Sequence, residues 1–394
     1  MIHRQRRLRW GRMAAVLIGV TLIGAGVRAI WANGLFAHAP VGFAGACRTV
    51  AHVPGVADIE IAGHTAFVSV SSARGPSSDD GIYALPLSAD GKLTRLAGAP
   101  KDFHPRGIGL LPSPDGQGLF LMAVNKRAGG ASARAGATSK ETSARAGATS
   151  KEASARAGAA TKDTAAGKKT RFSIDSFEVS NPQTAPTLVA QGTIDGGLLI
   201  NPQDVAAAGP GTFYVANGTA DSNPVLHQLQ TYGVIAGSNI LYFNGMTFKV
   251  VADGLYGTRS LVLTPDGQHL IAAGLLSRNL EVFQRESFSG TLTADKPLGL
   301  PAGPQMITVD PRGDLWVAGH ANLAQWRRFA ADRSKPSSSQ VFRISLAGGV
   351  PQSANQVYGN AGAQIGGASV AAVSGNHLLI GSTLDGRLLD CTLQ

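Results

Sequence analysis

The chain repeats one pattern six times, and this repeat constrains its fold more than any other feature. In each copy a run of alternating apolar residues reaches a tight turn rich in Pro, Gly, Asp or Asn, and a second apolar run leaves it. The copies begin near Asp58, Gly107, Asp204, Leu261, Ile307 and Val370. Alternation on both sides of such a turn predicts a β-hairpin. Six hairpins at a spacing of roughly 50 residues predict an all-β, six-bladed β-propeller over residues 47–391.

A basic segment and then an apolar segment precede the propeller. Residues 1–12 carry five arginines and no acid, residues 13–26 carry no charge, and apolar character resumes after Arg28. This order is typical of a secretion signal or an N-terminal signal-anchor. We therefore predict such a segment over residues 1–36 and a linker over residues 37–46.

The sequence leaves the fate of this segment open. Its uncharged core is short for a membrane span, which needs about 20 residues. The small residues Ala29 and Ala32 favour cleavage, whereas Arg28 and Trp31 make a poor cleavage site. A weak twin-arginine pattern, QRRLRW, is a third reading. Each reading places the folded domain outside the cytoplasm, in the periplasm or secreted, and the uncleaved reading anchors it to the membrane.

The chain has two cysteines, and they lie at the two ends of the repeat region. Cys47 opens it and Cys391 lies close to the C-terminus. The first and last strands of a closed propeller meet in one blade, so the two residues are expected to be neighbours. An extracytoplasmic compartment permits a disulfide there. The alternative is a pair of buried thiols.

The net charge of +10 does not describe the propeller. Residues 1–28 contribute +6 and residues 126–171 contribute +8, so the remainder carries about −4. The propeller has no basic stripe with interleaved aromatic residues, which nucleic-acid binding would require. We expect no nucleic-acid partner.

A low-complexity insert interrupts the second hairpin. Between residues 127 and 169 the composition collapses to small residues with Arg and Lys, and SARAGATSKET recurs with an 11-residue period. Without large apolar residues such a segment cannot offset the entropy of ordering, which favours a disordered loop. The alternative is a basic tether that touches anionic lipid near the anchor. Strand character resumes at Thr170, so the insert leaves the propeller intact.

Several long motifs resemble the paraoxonase/arylesterase family of six-bladed, gluconolactonase-like propellers. They include NPQDVAAAGPGTFYVANG at residues 201–218, LVLTPDGQHLIAAG from Leu261, ITVDPRGDLWVAGH at residues 307–320, and SVAAVSGNHLLIGSTLDGRLLDC near the C-terminus. The paired terminal cysteines and the N-terminal apolar segment are also similar. The resemblance implies two calcium ions in a central tunnel and hydrolysis of lactones and aryl esters, with one ion polarising the carbonyl.

At the positions implied for the catalytic calcium, the sequence departs from the family. The implied ligands are Glu, two Asn and an Asp–Asn pair, whose positions hold Ala57, Gln203, Arg259, Gln305 and Met306. Both carboxylates are absent, and a guanidinium replaces an amide. Calcium needs several hard oxygen donors, and Arg259 would repel it. We expect no catalytic calcium.

The histidine pair implied by the resemblance is also replaced. The positions hold Arg106, within FHPRGI, and Lys126. His104 lies two residues before Arg106 and is interpreted as a structural residue rather than a base. His320 matches a histidine of the family's pocket, but one histidine does not make an active site.

The second ion implied by the resemblance is structural, and its positions are kept. They are Asp58, Asp204 and the backbone carbonyl of Ile108. Two readings stay open here. The carboxylates hold one structural calcium ion, or they form salt bridges with Arg106 and Arg259.

Three functions follow from these residues. The first is a non-catalytic propeller whose tunnel mouth, lined by Arg106, Gln203, Arg259 and Gln305, binds a small anionic ligand. The second is a diverged ester or lactone hydrolase with an oxyanion site made by Arg106 and Arg259 and with His104 or His320 as base. The third is a scaffold whose outer face binds protein. The sequence contains no G-x-S-x-G, H-E-x-x-H or Walker motif that would indicate other chemistry.

Overall fold

The computed structural model describes residues 2–88, 90–113, 118–127, 171–219 and 223–394, with side chains from residue 13 onward. Within these ranges the strands form six antiparallel sheets. Each of the six predicted hairpins forms the two inner strands of one sheet. The prediction of a six-bladed propeller is confirmed.

Two elements precede the first complete blade, and three blades follow them in chain order. The N-terminal elements are α1 (Ile2–Ala32) and β1 (Ala46–His52). The first blade contains β2 (Val56–Ala62), β3 (Thr65–Val70), β4 (Gly81–Pro86) and β5 (Thr94–Arg95). The second contains β6 (Pro105–Pro112), β7 (Leu119–Arg127), β8 (Arg171–Ser180) and β9 (Thr187–Asp195). The third contains β10 (Pro202–Gly209), β11 (Thr212–Asn217), α2 (Pro224–Thr231), β12 (Ser238–Phe243) and β13 (Phe248–Leu255).

The remaining three blades complete the ring. The fourth contains β14 (Thr258–Leu263), β15 (His269–Gly274), β16 (Asn279–Arg285), β17 (Leu292–Ala294) and β18 (Leu298–Gly299). The fifth contains β19 (Gly303–Val309), β20 (Leu315–His320), α3 (Leu323–Ala331), β21 (Ser339–Ala347) and β22 (Val350–Asn360). The sixth contains β23 (Val370–Ser374), β24 (His377–Gly381) and β25 (Arg387–Thr392), with β1 as its outer strand.

The hairpin turns use the residues that the sequence pattern indicates. Gly63 joins β2 to β3 with φ +60°, and Gly375 joins β23 to β24 with φ +59°. A two-residue turn between twisted strands requires positive φ, which a glycine adopts without a steric penalty. Each of these glycines therefore sets the register of its hairpin. In that register one face of the hairpin contacts the preceding blade and the other face contacts the following blade.

The apolar core lies between the blades. Phe67 and Ile82 of the first blade pack in one cluster with Leu121 and Phe177 of the second. Trp316, predicted to fill a space between blades, is buried in the cluster shared by the fifth and sixth blades, and Tyr214 is buried between the third and fourth. Side chains alternate between the two faces of a strand, so each blade contributes to two such clusters.

The sixth blade closes the ring with strands from both ends of the chain. The N-terminal strand β1 pairs with β25, and Cys47 lies opposite Cys391 in the register. A disulfide joins the two residues. The predicted pairing is confirmed, and the thiol alternative is wrong. In the chain-entropy description, a cross-link over so long a loop stabilises the fold by about 5 kcal/mol at most.

The low-complexity insert begins and ends within a paired hairpin. Strands β7 and β8 are paired along their length, and Arg127 lies opposite Arg171. Residues 128–170 fall outside the described residues, and the predictions about them stay predictions. The expectation that the insert leaves the propeller intact is confirmed.

The N-terminal helix is longer than the uncharged core of the sequence. Its segment Met13–Ala32 has 20 residues and is apolar enough to cross a membrane. The large apolar residues from Met13 to Trp31 are exposed. Arg28 does not break the span because its guanidinium stacks on Trp31 and on Tyr256 of the propeller, at 4.9 and 4.2 Å from the ring centroids.

Candidate ligand site in the propeller tunnel

The first residues of the inner strands meet at the centre of the ring. They line a cavity of about 310 Å³ that includes Ala57, Arg106, Gln203, Arg259, Gln305 and Met306. Every position at which the sequence departs from the family's catalytic calcium site therefore faces the same space. Loop residues 71–73 and 383–384 form the outer wall of this cavity, which we call the tunnel mouth.

Arg106 is held by neutral oxygens of the third blade. Its Nη1 donates to Asn201 Oδ1 at 3.0 Å and to the carbonyl of Pro202 at 2.9 Å. Its guanidinium also lies 5.0 Å from the ring centroid of Phe172. Burial and the neighbouring Arg259 lower the pKa of Arg106 to about 10, so the group keeps its charge at neutral pH.

Arg259 occupies the centre of the same cavity. Its Nη1 donates to Gln203 Oε1 at 2.9 Å. The amide of Gln203 in turn donates to the backbone and side-chain oxygens of Asn201, at 3.0 and 2.9 Å. Burial lowers the pKa of Arg259 to about 10. Of the two amides that sequence analysis placed at the mouth, Gln203 orients Arg259, whereas Arg106 is oriented by Asn201 and Pro202, which sequence analysis did not single out.

We call Arg106, Lys126 and Arg259 the cationic rim. All three line the tunnel mouth. Burial and Arg106 together lower the pKa of Lys126. No ion pair joins any of the three to an acid in the part of the chain that the structure describes. The rim therefore carries partly buried positive charge without a carboxylate partner.

A second group of charges lies on β2 and β10, one residue after Ala57 and Gln203 of the tunnel mouth. Asp58 and Asp204 are each 2% exposed. Asp58 accepts hydrogen bonds from the backbone N–H of Ile59 at 2.9 Å and of Ile108 at 2.8 Å. With Glu60, which is on the same face of β2 as Asp58, they form what we call the carboxylate group.

Asp204 ties its own blade to the next one. It accepts from the backbone N–H of Val205 at 2.8 Å and of Leu261 at 2.9 Å, and from the hydroxyl of Ser260 at 2.7 Å. Gly107 permits this approach, since a Cβ there would lie 2.2 Å from Asp204 Oδ1.

The carboxylate group resists ionisation. Burial, with repulsion from Asp204 and Glu60, raises the pKa of Asp58 well above its ordinary value. Burial and Asp204 raise the pKa of Glu60 to about 8, and burial raises that of Asp204 to about 7 despite three hydrogen bonds. Three acids that share a buried space need protons or a cation.

The predicted metal and ion-pair arrangements can be compared with these contacts. Arg106 and Arg259 bond to amides and a carbonyl, so the predicted salt bridges with Asp58 and Asp204 do not form among the described residues. Ile108, predicted to offer its carbonyl, donates its N–H to Asp58. No cluster of three acidic, histidine or cysteine side chains with metal-binding geometry exists in the described ranges. The negative charge and the oxygen donors of the carboxylate group suit a hard cation. The contacts that Asp58 and Asp204 make in this structure are hydrogen bonds from backbone N–H groups and from a hydroxyl.

His104 lies away from the tunnel mouth. Its Nδ1 is 2.7 Å from Asp80 Oδ2, and its Nε2 is 3.2 Å from Asp102 Oδ1. Asp80 also accepts from the backbone N–H of Ser72 and Ser77. His104 therefore supports the loop at residues 71–80, in line with its interpretation as a structural residue, and it is not in the wall of the cavity.

His320 is enclosed near Arg259. It is 0% exposed and stacks on Trp326 with ring centroids 5.5 Å apart. Burial and the charge of Arg259 lower the pKa of His320 to about 3, with a smaller opposing effect from the backbone of Ser338. A buried imidazole of such low basicity is unsuited to take a proton from water at neutral pH.

A second cavity adjoins the tunnel mouth, and sequence analysis did not find it. It has a volume of about 210 Å³ and shares Arg259 and Trp326 with the mouth. Trp326 is in α3 and had no pattern that set it apart from a core aromatic residue. Glu60 was also missed, although its spacing of two from Asp58 on a strand indicates a shared face.

Comparison with known proteins gives one consistent result. A model of the family described as Arylesterase matches residues 111–393. The chain is 34% identical to human serum paraoxonase/arylesterase 2 over 202 residues, which is 51% of this chain and 56% of that protein. It is 35% identical to serum paraoxonase/arylesterase 1 of Rattus norvegicus over the same shares. The chain thus matches only about half the length of these relatives.

A solved structure of a luciferin-regenerating enzyme resembles the propeller. The likeness covers 88% of this chain and 95% of that one, at 10% identity and a TM-score of 0.49. At that level it carries no argument about function.

Proposed function

The chain belongs to the arylesterase family, and we propose that the tunnel mouth of this member binds a small anion and has no catalytic calcium ion. The cationic rim carries this proposal. Burying a charge without a partner costs free energy, and the cost is recovered when a counter-charge arrives. Two guanidiniums oriented by amides form a suitable receptor for a carboxylate or a phosphate.

The absence of catalytic calcium is proposed from the donors at the mouth. The oxygen of Gln203 already accepts from Arg259, and Ala57 and Met306 offer no side-chain oxygen. A divalent cation would lie among three positive side chains and meet no carboxylate of the mouth. Ester hydrolysis through that ion is therefore not expected.

A structural cation at the carboxylate group is a separate proposal. The raised pKa values of Asp204 and Glu60 support it, because a divalent cation would remove the repulsion between these acids. Asp58 and Asp204 would hold the ion through carboxylate oxygens, the donor type that calcium prefers, and the ion would replace some of the hydrogen bonds that these oxygens accept.

We also propose that the domain stays attached to the membrane and lies outside the cytoplasm. The end of α1 is packed into the propeller: Ala32 is fully buried, and the N–H of Leu323 donates to the carbonyl of Asn33 at 2.9 Å. Asn33 also donates to the carbonyl of Tyr232 at 2.9 Å. Arg28, at the preceding turn of α1, packs on Tyr256 of the propeller, and cleavage near Ala29 would remove that contact. The disulfide fits an oxidising compartment.

Anion binding is tested on the full chain in detergent. The melting temperature is measured with sodium acetate, sodium benzoate and sodium phosphate, against sodium chloride at equal ionic strength. A ligand at 100 times its Kd should stabilise the fold by about 2.7 kcal/mol. Arg259→Gln should abolish the shift. Arg312→Gln is the matched control and should keep it, because that side chain is 63% exposed and lies outside the cavity.

The same preparation tests the hydrolase alternative. Phenyl acetate and small lactones are supplied with and without EDTA. Turnover that EDTA abolishes, without any anion-dependent stabilisation, would contradict the proposal and support a diverged arylesterase. EDTA-sensitive melting without turnover would support a structural cation alone.

A further inference from the structure

The second cavity extends the tunnel mouth past Arg259. The two cavities share the side chains of Arg259 and Trp326, so the second cavity adjoins the tunnel mouth at these two residues. Its volume of about 210 Å³ lies below the range of drug-sized sites. It therefore suits a narrow extension of a ligand whose charged head lies at the rim.

Most of the accessible wall of this second cavity is apolar. Leu275, Leu276 and Leu323 line one side of it, and all three are at least 96% buried. They belong to one cluster with Ala32, the last residue of α1. This side of the cavity is apolar, and covering a hydrocarbon chain with it is favourable. The rest of the lining includes the polar side chains of His227 and Arg327, and the guanidinium of Arg327 already donates to Asn33 Oδ1 and to the carbonyl of Thr231.

One buried polar atom beside both cavities lacks a partner. Trp326 Nε1 makes no hydrogen bond of acceptable geometry within the described part of the chain, and Trp326 lines both cavities. Its ring stacks on His320, which lines neither cavity. Buried polar groups are normally paired. The unpaired indole N–H is therefore a donor that a ligand between the two cavities would satisfy.

From these observations we infer that the ligand is a monocarboxylate with an unbranched alkyl tail. The inference rests on the proposed function. The carboxylate lies between Arg106 and Arg259, and the tail passes Trp326 and lies along Leu275, Leu276 and Leu323. Neither a bare anion nor an uncharged alkane would use both cavities.

A carboxylate head suits the rim better than a phosphate. Arg106 and Arg259 already give N–H groups to amide and carbonyl oxygens, which leaves few donors for a third acceptor oxygen. A planar carboxylate is satisfied by one edge of a guanidinium. A doubly charged head would also cost more to desolvate beside an apolar wall.

The test is a calorimetric titration of the full chain in detergent with acetate, butyrate, hexanoate and inorganic phosphate. Affinity should rise about fourfold for each methylene added, until the tail fills the cavity. Leu276→Phe narrows the second cavity and should remove the advantage of hexanoate while acetate binding is unchanged. Leu198→Phe is the control, since Leu198 lines neither cavity.

The outcomes separate this inference from the proposed function. If none of the four anions binds, the proposed function itself fails. If they bind with affinities that do not depend on tail length, or if Leu276→Phe keeps the advantage of hexanoate, the tail assignment is overturned. If Leu276→Phe shows no cooperative melting transition, the variant is not folded. The dependence of wild-type affinity on tail length then decides the inference alone. Arg259→Gln enters the same micelles and should lose hexanoate binding, which excludes partition into detergent as the source of the signal.

Discussion

Every oxygen of Asp58 and Asp204 accepts a hydrogen bond from an N–H or O–H group, whereas the guanidiniums of the cationic rim bond only to amide and carbonyl oxygens. The carboxylate group lies on β2 and β10, and the cationic rim lies on β6, β7 and β14. The carboxylate group joins neighbouring blades, since Asp58 bonds to the second blade and Asp204 to the fourth. The cationic rim joins Arg106 and Arg259 to the third blade and leaves their charge without a partner.

This difference separates a structural layer from a binding layer in one tunnel. A carboxylate whose oxygens all accept hydrogen bonds stabilises the ring, because its removal leaves buried donors without an acceptor. An unpaired buried guanidinium destabilises the ring, and natural proteins keep such groups where a ligand needs them. Substitutions in the two layers should therefore have opposite effects on stability.

The largest effect is expected in the carboxylate layer. Asp204→Leu leaves the N–H groups of Val205 and Leu261 and the hydroxyl of Ser260 without their acceptor. At about 1–3 kcal/mol for each of these three groups, the free energy of unfolding should fall by about 3–9 kcal/mol. Chemical denaturation measures it. Asp195→Leu, at an exposed position of β9, should change it by about 0.5 kcal/mol or less. A loss for Asp204→Leu as small as that of the control would show that the carboxylate group does not join the blades.

Much of this layer could be predicted from the sequence, because strand alternation and turn residues are local signals. The hairpins that begin near Asp58 and Asp204 established both the ring and the convergence of their first residues. The pairing of Cys47 with Cys391 followed from ring closure. The sequence likewise predicts Arg106, Gln203, Arg259 and Gln305 at the mouth, where all four line the cavity.

The partners of these side chains could not be predicted, because they depend on how the blades pack. Pattern alone offered Arg106 and Arg259 as counter-charges for Asp58 and Asp204. Their guanidiniums instead bond to oxygens of Asn201, Pro202 and Gln203 at the start of the third blade. Trp326 reaches the cavity from a helix in a loop between strands, where neither alternation nor spacing constrains it. The contact of Arg28 with Tyr256 could not be predicted either, because Tyr256 is distant in sequence.

The second effect in size is the dependence of stability on pH without metal. In the folded state the pKa of Asp204 is about 7 and that of Glu60 about 8, above the values of about 4 in an unfolded chain. The folded state then binds more protons, so stability is greatest below pH 4 for these groups and is lost as pH rises through 7 and 8. The pKa of His320 is lowered in the folded state, so this residue makes stability rise with pH. It does so only below its unfolded pKa of about 6.5.

A comparison at pH 6.5 and pH 9 isolates the acids. In EDTA the melting temperature should be several degrees lower at pH 9, and calcium should restore it there more than at pH 6.5. Glu60→Gln should reduce the difference between the two pH values, since one repelling carboxylate is gone. Equal melting temperatures at both pH values, with and without calcium, would show that the carboxylate group neither titrates in this range nor binds the ion.

The smallest effect is expected in the binding layer, and its sign is what matters. Arg259→Met removes a buried charge and fills similar volume, and such replacements are often neutral or stabilising. It also frees Gln203 Oε1, which offsets part of the gain. Without ligand, the free energy of unfolding should stay unchanged or rise by about 1 kcal/mol, while the anion-dependent shift disappears. Gln203→Met is the matched variant: it removes an acceptor of Arg259 and keeps the charge, so it should destabilise the fold. If Arg259→Met instead lowers the free energy of unfolding by several kcal/mol, Arg259 stabilises the ring and belongs to the structural layer. The distinction between a structural layer and a binding layer would then be wrong.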